Sequence, residues 1–134
     1  MAKYAYPAIF TKEPEGGYSV NFPDLEGCYT QGETVEEALE MAEDVLNLTL
    51  YDLEESKAEI AVPSDIRTLE LTEDQFASLI ACDTIAYRRY FDSKAVKKTL
   101  SIPSWLNTLS ERANINFSAV LQKALIEELH IEPR

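Results

Sequence analysis

A chain of 134 residues, 46% of them hydrophobic, suits one medium domain or two small ones and is too apolar for a disordered segment. No apolar run approaches the ~18 residues that a membrane-spanning helix needs, and the start, Met1–Ala2–Lys3–Tyr4, lacks the apolar core of a signal peptide, so a cytoplasmic protein is expected. Two cysteines, Cys28 and Cys82, are too few and too far apart for a disulfide framework or a zinc site; buried thiols are expected.

The net charge of −12 is unevenly divided. Residues 94–134 hold six basic groups (Lys94, Lys97, Lys98, Arg112, Lys123, Arg134) against four acidic ones (Glu111, Glu127, Glu128, Glu132), a net of +2. The remaining six basic and twenty acidic groups give residues 1–93 a net of −14. The asymmetry predicts two modules, 1–93 and 94–134. The second can approach phosphate, whereas the first suits a basic protein.

In chain order, Tyr4–Thr11 is β-prone, with Pro7 arguing for an edge position or an interruption. Glu13–Pro14–Glu15–Gly16–Gly17 reads as a hairpin connection. Tyr18, Val20 and Phe22 alternate with Ser19 and Asn21 as a second strand, and Cys28–Gln31 forms a short third after the loop Pro23–Gly27. Thr34 and Glu37 make a capping box for a helix whose inner face is Val35, Ala38, Leu39, Ala42, Val45, Leu46, Thr49 and Leu53. Glu36, Glu40, Glu43, Asp44 and Glu54 are expected on its solvent side, as a solvated face or as a docking surface.

Signals fade from Ser56 to Asp65. Arg67–Leu71 suggests a strand or a short extended piece, and Asp74–Asp83 a strand apolar enough to sit inside a sheet. Thr84–Ser93 reads as a helical connector with Arg88 and Arg89 exposed. Ala95–Ile102 alternates as one more strand, with Lys98, Leu100 and Ile102 on one side and Lys97, Thr99 and Ser101 on the other. Pro103 ends it and suits a first helical turn. Trp105, Leu106, Leu109 and Ala113 form a helical stripe, and Asn114 is a candidate left-handed residue beyond it. Asn116 then caps a second helix with Phe117, Val120, Leu121, Ala124, Leu125 and Leu129 on its apolar face.

A strand, a proline and two short helices resemble ribbon-helix-helix repressors, in which two copies pair their strands antiparallel. A unit of about 40 residues is too small to be stable alone, and a two-fold dimer supplies the missing core. The paired strands fit the major groove of DNA, presenting Lys97, Thr99 and Ser101 to base edges. Asn116, Phe117 and Ser118, at a helix start, are candidate phosphate contacts. The bland alternative makes the lysines edge guards and the hydroxyls a wet strand face.

The stretch Gly16–Cys28, with Gly32–Glu33–Thr34–Val35–Glu36–Glu37–Ala38–Leu39 following and Ala95–Pro103 with Trp105–Leu106 further on, looks like HicB-family antitoxins. The resemblance implies an α+β chain: an N-terminal β-β-β-α-β domain of degenerate ribonuclease-H-like fold, then a ribbon-helix-helix (β-α-α) domain. It also implies a HicA-like toxin as partner, a small basic ribonuclease, and operator DNA bound to repress the shared operon. A homodimer through the C-terminal domain is expected, with N-terminal domains available to join dimers into tetramers. Asp24 and Glu26 are candidate toxin contacts, the alternative being ordinary turn residues.

No catalytic role, cofactor or metal is expected. Residues 4–11 and 18–22 contain no Asp or Glu to gather a pair of metal ions, and the single histidine, His130, lies beyond the last apolar stripe. The competing reading is a stand-alone ribbon-helix-helix transcriptional regulator whose N-terminal domain binds another ligand or protein.

Overall fold

A computed structural model describes residues 3–132. The chain divides into two compact units, Met1–Lys94 and Ala95–Arg134. The first contains β1 (Lys3–Lys12), β2 (Tyr18–Asn21), β3 (Tyr29–Gly32), α1 (Val35–Glu55), β4 (Gln75–Asp83) and α2 (Thr84–Phe91). The strands form one antiparallel sheet in the order β3-β2-β1-β4, so the α+β class and the β-β-β-α-β order are those expected.

Pro7 stands in a strand with neighbours on both sides, contrary to the edge or interruption anticipated. The ladder phase removes the conflict. Lys12 donates its N–H to the carbonyl of Asp74 at 2.9 Å, and Glu13 donates to Gly17 at 3.0 Å. Even-numbered residues of β1 therefore bond toward β4 and odd-numbered ones toward β2. On that side β2 pairs only with Ile9–Lys12, so the N–H that Pro7 lacks would have met no strand.

One face of the sheet is covered. Tyr6, Ala8 and Phe10 of β1 and Val20 of β2 are buried beneath Ala38, Ala42, Leu46 and Leu50 of α1. Phe22, Leu25, Cys28, Ile80 and Cys82 complete the core. Gly32 lets the helix start close to β3, since a Cβ there would lie 2.5 Å from the Ala38 nitrogen. Thr34 caps α1 as expected, its hydroxyl accepting the N–H of Glu37 at 3.1 Å. The Glu37 carboxylate returns to Glu33 rather than to Thr34, at 3.2 Å.

The buried row of α1 is narrower than anticipated. Val35 and Leu39 remain 36% and 38% exposed, and Leu50 takes the place assigned to Thr49. A helix crossing a twisted sheet buries a run spaced by four residues, and flanking apolar positions stay at its margin. Between α1 and β4 the expected strand or extended piece at 67–71 begins instead inside a 3₁₀ turn, Ile66–Thr68. Asp65 sets it by accepting from the Arg67 N–H at 2.9 Å and from its guanidinium at 2.7 Å. Residues 75–83 are the strand expected, but at the edge of the sheet instead of inside it, because among the described residues nothing beyond β4 pairs with it.

The second unit contains α3 (Ser104–Arg112) and α4 (Phe117–Glu128). Pro103 is the cap residue of α3 and makes no side-chain capping bond. Asn114 has φ 55°, and Ile115 donates to Ser110 while Asn114 donates to Glu111, both at 3.1 Å. This is a Schellman ending with the left-handed residue where it was anticipated. Residues 95–103 are exposed and unassigned to any strand, contrary to expectation. A strand exists only through its ladder, and the described residues of one copy of this unit contain no second strand.

Lys57 (φ 57°) ends α1 in the same left-handed way, with Ala58 donating to Leu53 at 3.0 Å. A side chain there costs about 1 kcal/mol relative to glycine. Lys57→Gly should therefore raise stability by about that amount, read as an upward shift of the urea midpoint with unchanged slope.

Candidate functional surfaces

The DNA-facing candidates all lie in the second unit. Lys97, Thr99 and Ser101 alternate along the exposed 95–103 segment. Asn116 is the cap of α4, its side chain accepting the Ala119 N–H at 3.0 Å. That bond occupies the Asn116 oxygen and leaves the first-turn N–H groups of Phe117 and Ser118 at the helix start, the groups that an intrahelical ladder does not satisfy. The structure thus brings Asn116, Phe117 and Ser118 together at one terminus.

None of the described residues of this unit is buried. Trp105 is 65% exposed, and Leu100, Leu109, Val120 and Leu125 are also exposed. Stripes of this kind call for a covering surface.

The first unit presents carboxylates. Glu36, Glu40, Glu43 and Asp44 are exposed along α1. Glu13, Glu33 and Glu37 line a shallow pocket of about 290 Å³ where the β1–β2 hairpin meets the start of α1, together with Tyr18 and Met41. Glu26 is exposed in the β2–β3 loop, whereas Asp24 is engaged. It accepts the backbone N–H of Ser64 at 2.9 Å and also the Ser64 hydroxyl, pinning the loop after α1. The neighbouring Tyr6 hydroxyl donates to the carbonyl of Ala61.

Glu54, expected on the solvent side, faces inward instead, with 16% of its side chain exposed. It lies four residues beyond Leu50, on the continuation of the buried row. Its carboxylate accepts from Tyr4 at 2.7 Å, Thr84 at 2.9 Å and Arg88 at 3.0 Å. Arg88 is accordingly not the exposed residue anticipated, with 26% of its side chain exposed, and Arg89 too is only half-exposed. Arg88 also meets Glu55 at 2.7 Å and lies 4.6 Å from the centre of the Tyr51 ring. β1, α1 and α2 are joined at this one carboxylate.

Burial raises the Tyr4 phenol well above its ordinary range, and Glu54 raises it further. Both cysteines are free and buried, as expected. Burial, with the charges of Glu43, Asp83 and Glu54 nearby, pushes the Cys82 thiol from 9.0 up to about 12.

The family of HicB-like antitoxins of bacterial toxin-antitoxin systems matches residues 6–129. The chain belongs to this family. Antitoxin HicB of Escherichia coli K12 is 47% identical over 64 residues, a match covering 47% of this chain and 46% of that protein. Antitoxin HicB 1 of Photorhabdus laumondii is 43% identical over 61 residues, covering 46% and 39%. The chain thus spans about half the length of the curated relatives it matches. Among solved structures, a chain of a toxin-antitoxin complex from Streptococcus pneumoniae is 33% identical with a TM-score of 0.61, covering 94% of this chain and 99% of that one. The Burkholderia pseudomallei antitoxin HicB, at 20% identity and a TM-score of 0.54 over 94% of this chain and 98% of that one, shares the fold.

Removing Glu54 leaves Arg88 with Glu55 as its carboxylate partner and takes one hydrogen-bond acceptor from each of the Tyr4 and Thr84 hydroxyls. Glu54→Ala should lower stability by about 3 kcal/mol and Glu54→Gln by less, measured by urea denaturation. Alkali should act through Cys82. Below pH 9 the thiol is neutral in both folded and unfolded chains; between 9 and about 12 only the unfolded chain releases the proton, so stability falls as pH rises. Cys82→Ala should flatten that alkaline decline in a series of melts.

Proposed function

We propose that this chain is the antitoxin of a toxin-antitoxin pair: its acidic first unit binds and silences a small, basic, HicA-type RNA-cleaving toxin, and its second unit binds operator DNA to repress the shared operon. The family match over residues 6–129 carries the reading. The division of charge, −14 against +2, supports it, because one chain then offers a surface to a cation and another to phosphate. The protein acts in the cytoplasm by binding rather than by catalysis.

In the DNA-binding half, two copies pair their 95–102 segments antiparallel and close their apolar stripes over one another. The ribbon enters the major groove with Lys97, Thr99 and Ser101 toward the bases, while the N–H groups of Phe117 and Ser118 meet a flanking phosphate after the Asn116 cap. The exposure of Leu100, Ile102, Trp105 and Leu109 supports the dimer, since a partner copy is what covers such faces in a unit this small. In the toxin-binding half, the carboxylates on α1 and around the hairpin pocket attract the basic partner, and exposed Glu26 is better placed to touch it than Asp24, which holds Ser64.

Co-expression with the product of a neighbouring reading frame for a small basic protein tests the first half. The expected result is co-purification, RNA cleavage by the small protein alone and silence of the complex. A frame whose product neither binds nor cleaves would leave only the regulator. For the second half, affinity for DNA from upstream of its own gene should fall steeply with salt, with a slope of about −0.9 per phosphate contact. Lys97→Ala should weaken that affinity roughly tenfold or more, because a dimer loses two contacts, and leave toxin binding unchanged. Loss of both activities together would show that the two surfaces are not separate.

A further inference from the structure

α2 reads in the sequence as a connector, yet it carries an aromatic face that extends onto α1. Four rings touch one after another. Tyr51 lies 5.4 Å from Tyr87, Tyr87 4.7 Å from Phe91, and Phe91 4.7 Å from Tyr90, centre to centre. The first two are half-buried, whereas Phe91 and Tyr90 are 68% and 79% exposed. Leu48, one helical turn before Tyr51, is exposed beside them.

The fold does not need the outer two rings. Thr84, the buried residue of α2, and Arg88 hold this helix to α1 through the carboxylates of Glu54 and Glu55. Arg88 also covers the Tyr51 ring at 4.6 Å. Apolar area left in water contributes nothing to folding, so the exposed parts of Phe91 and Tyr90 are free to act elsewhere. Single exposed apolar side chains are ordinary; a contiguous patch of them marks an interaction site.

We propose that this face, Leu48, Tyr51, Tyr87, Tyr90 and Phe91, is the docking site of the small basic protein that the first unit is proposed to silence. The inference rests on that reading and gives its contact a centre. Aromatic side chains supply much of the energy at the middle of protein interfaces, because each buries a large area while fixing few rotatable bonds.

Charge selects this occupant. Asp44 and Asp52 lie one turn on either side of Leu48, Glu55 lies one turn beyond Tyr51, and Asp92 follows Phe91; all four are exposed. Asp92 also accepts the Tyr51 hydroxyl at 3.2 Å, which holds its carboxylate at the rim of the rings. Against these stands the half-exposed Arg89, since Arg88 is already paired with Glu54 and Glu55. A second copy of this chain would set like charges against one another around the patch, and phosphate would be repelled. A basic surface is attracted by the rim and held by the rings.

The test measures the association and dissociation rates of the full chain with the basic product of the neighbouring reading frame, by biolayer interferometry. Phe91→Ala should raise the dissociation rate at least about thirtyfold and leave the association rate unchanged, whereas Phe91→Tyr should behave as wild type. Asp52→Asn should do the reverse, slowing association and flattening its dependence on salt. Phe91 is exposed, so the urea midpoint and the affinity for DNA should not move. A dissociation rate for Phe91→Ala equal to that of wild type would overturn the proposal and leave the antitoxin reading in place. If no basic protein binds the wild-type chain, both readings fail together. A changed mass or a changed DNA affinity for Phe91→Ala, at an unaltered dissociation rate, would make a second copy or the second unit the occupant and overturn the proposal.

Discussion

Ala38, Ala42, Leu46 and Leu50 of α1 press on Tyr6, Ala8, Phe10 and Val20, and this contact determines what the first unit can offer to others. A sheet has two faces and two edges, and one helix covers one face. Burial of a large side chain contributes about 1.5–3 kcal/mol, so the covered face holds the fold. What is left over is the other face, the outer edge of β4 and the outer side of α1. These surfaces differ in chemistry: the helix side is acidic, whereas the sheet side around Leu79 is neutral and apolar.

The same contact explains the inward carboxylate. Continuing the row from Leu50 brings Glu54 under the end of the sheet, where an unpaired charge would be costly. Tyr4, Thr84 and Arg88 satisfy it, and in doing so they fasten the first strand and α2 to the last turn of α1. Arg88 would otherwise be one of the few cations of a very acidic domain. Here it is consumed in positioning α2, and the Tyr51–Tyr87–Phe91 ring contacts extend from it along that helix.

The local chemistry was legible in the sequence. Thr34, the glycines of the hairpin, Asn114 and Asn116 act through backbone groups within five residues of themselves, and each stands where it was anticipated. The alternation in β2 and the strand character of 75–83 were legible for the same reason. What depended on distant partners was not. Glu54 and Arg88 lie far apart along the chain and look like surface charges until α2 is folded onto α1. The apolar content of β4 suggested the middle of a sheet, and only the topology puts it at an edge. Pro7 seemed to forbid a central strand because the early end of β2, which leaves its nitrogen unopposed, is a property of pairing rather than of composition. Among the candidate site residues, Asn116 was legible as a cap; Asp24 was legible as a loop carboxylate, without its bond to Ser64.

The second unit poses the complementary problem, since local signals there are strong and the core is missing. α3 and α4 start and stop where their caps dictate, yet no described residue between 95 and 132 is buried. Good caps contribute about 1 kcal/mol each and cannot replace the several kcal/mol of a buried core. Local sequence therefore specifies the shape of this unit, and the proposed dimer supplies the core that it lacks. Under the proposed function, in which the second unit lies on phosphate, that division is useful. In the proposed dimer, folding and association are one event, and two symmetric sets of Lys97, Thr99 and Ser101 are created together. At physiological salt the screening length is about 8 Å, so the −14 of residues 1–93 need not cancel, beyond that distance, the attraction for DNA proposed for residues 94–134, which carry +2. A chain that is acidic overall is thereby compatible with a phosphate-binding end, provided that the basic residues are grouped, as they are around Lys97 and Lys98.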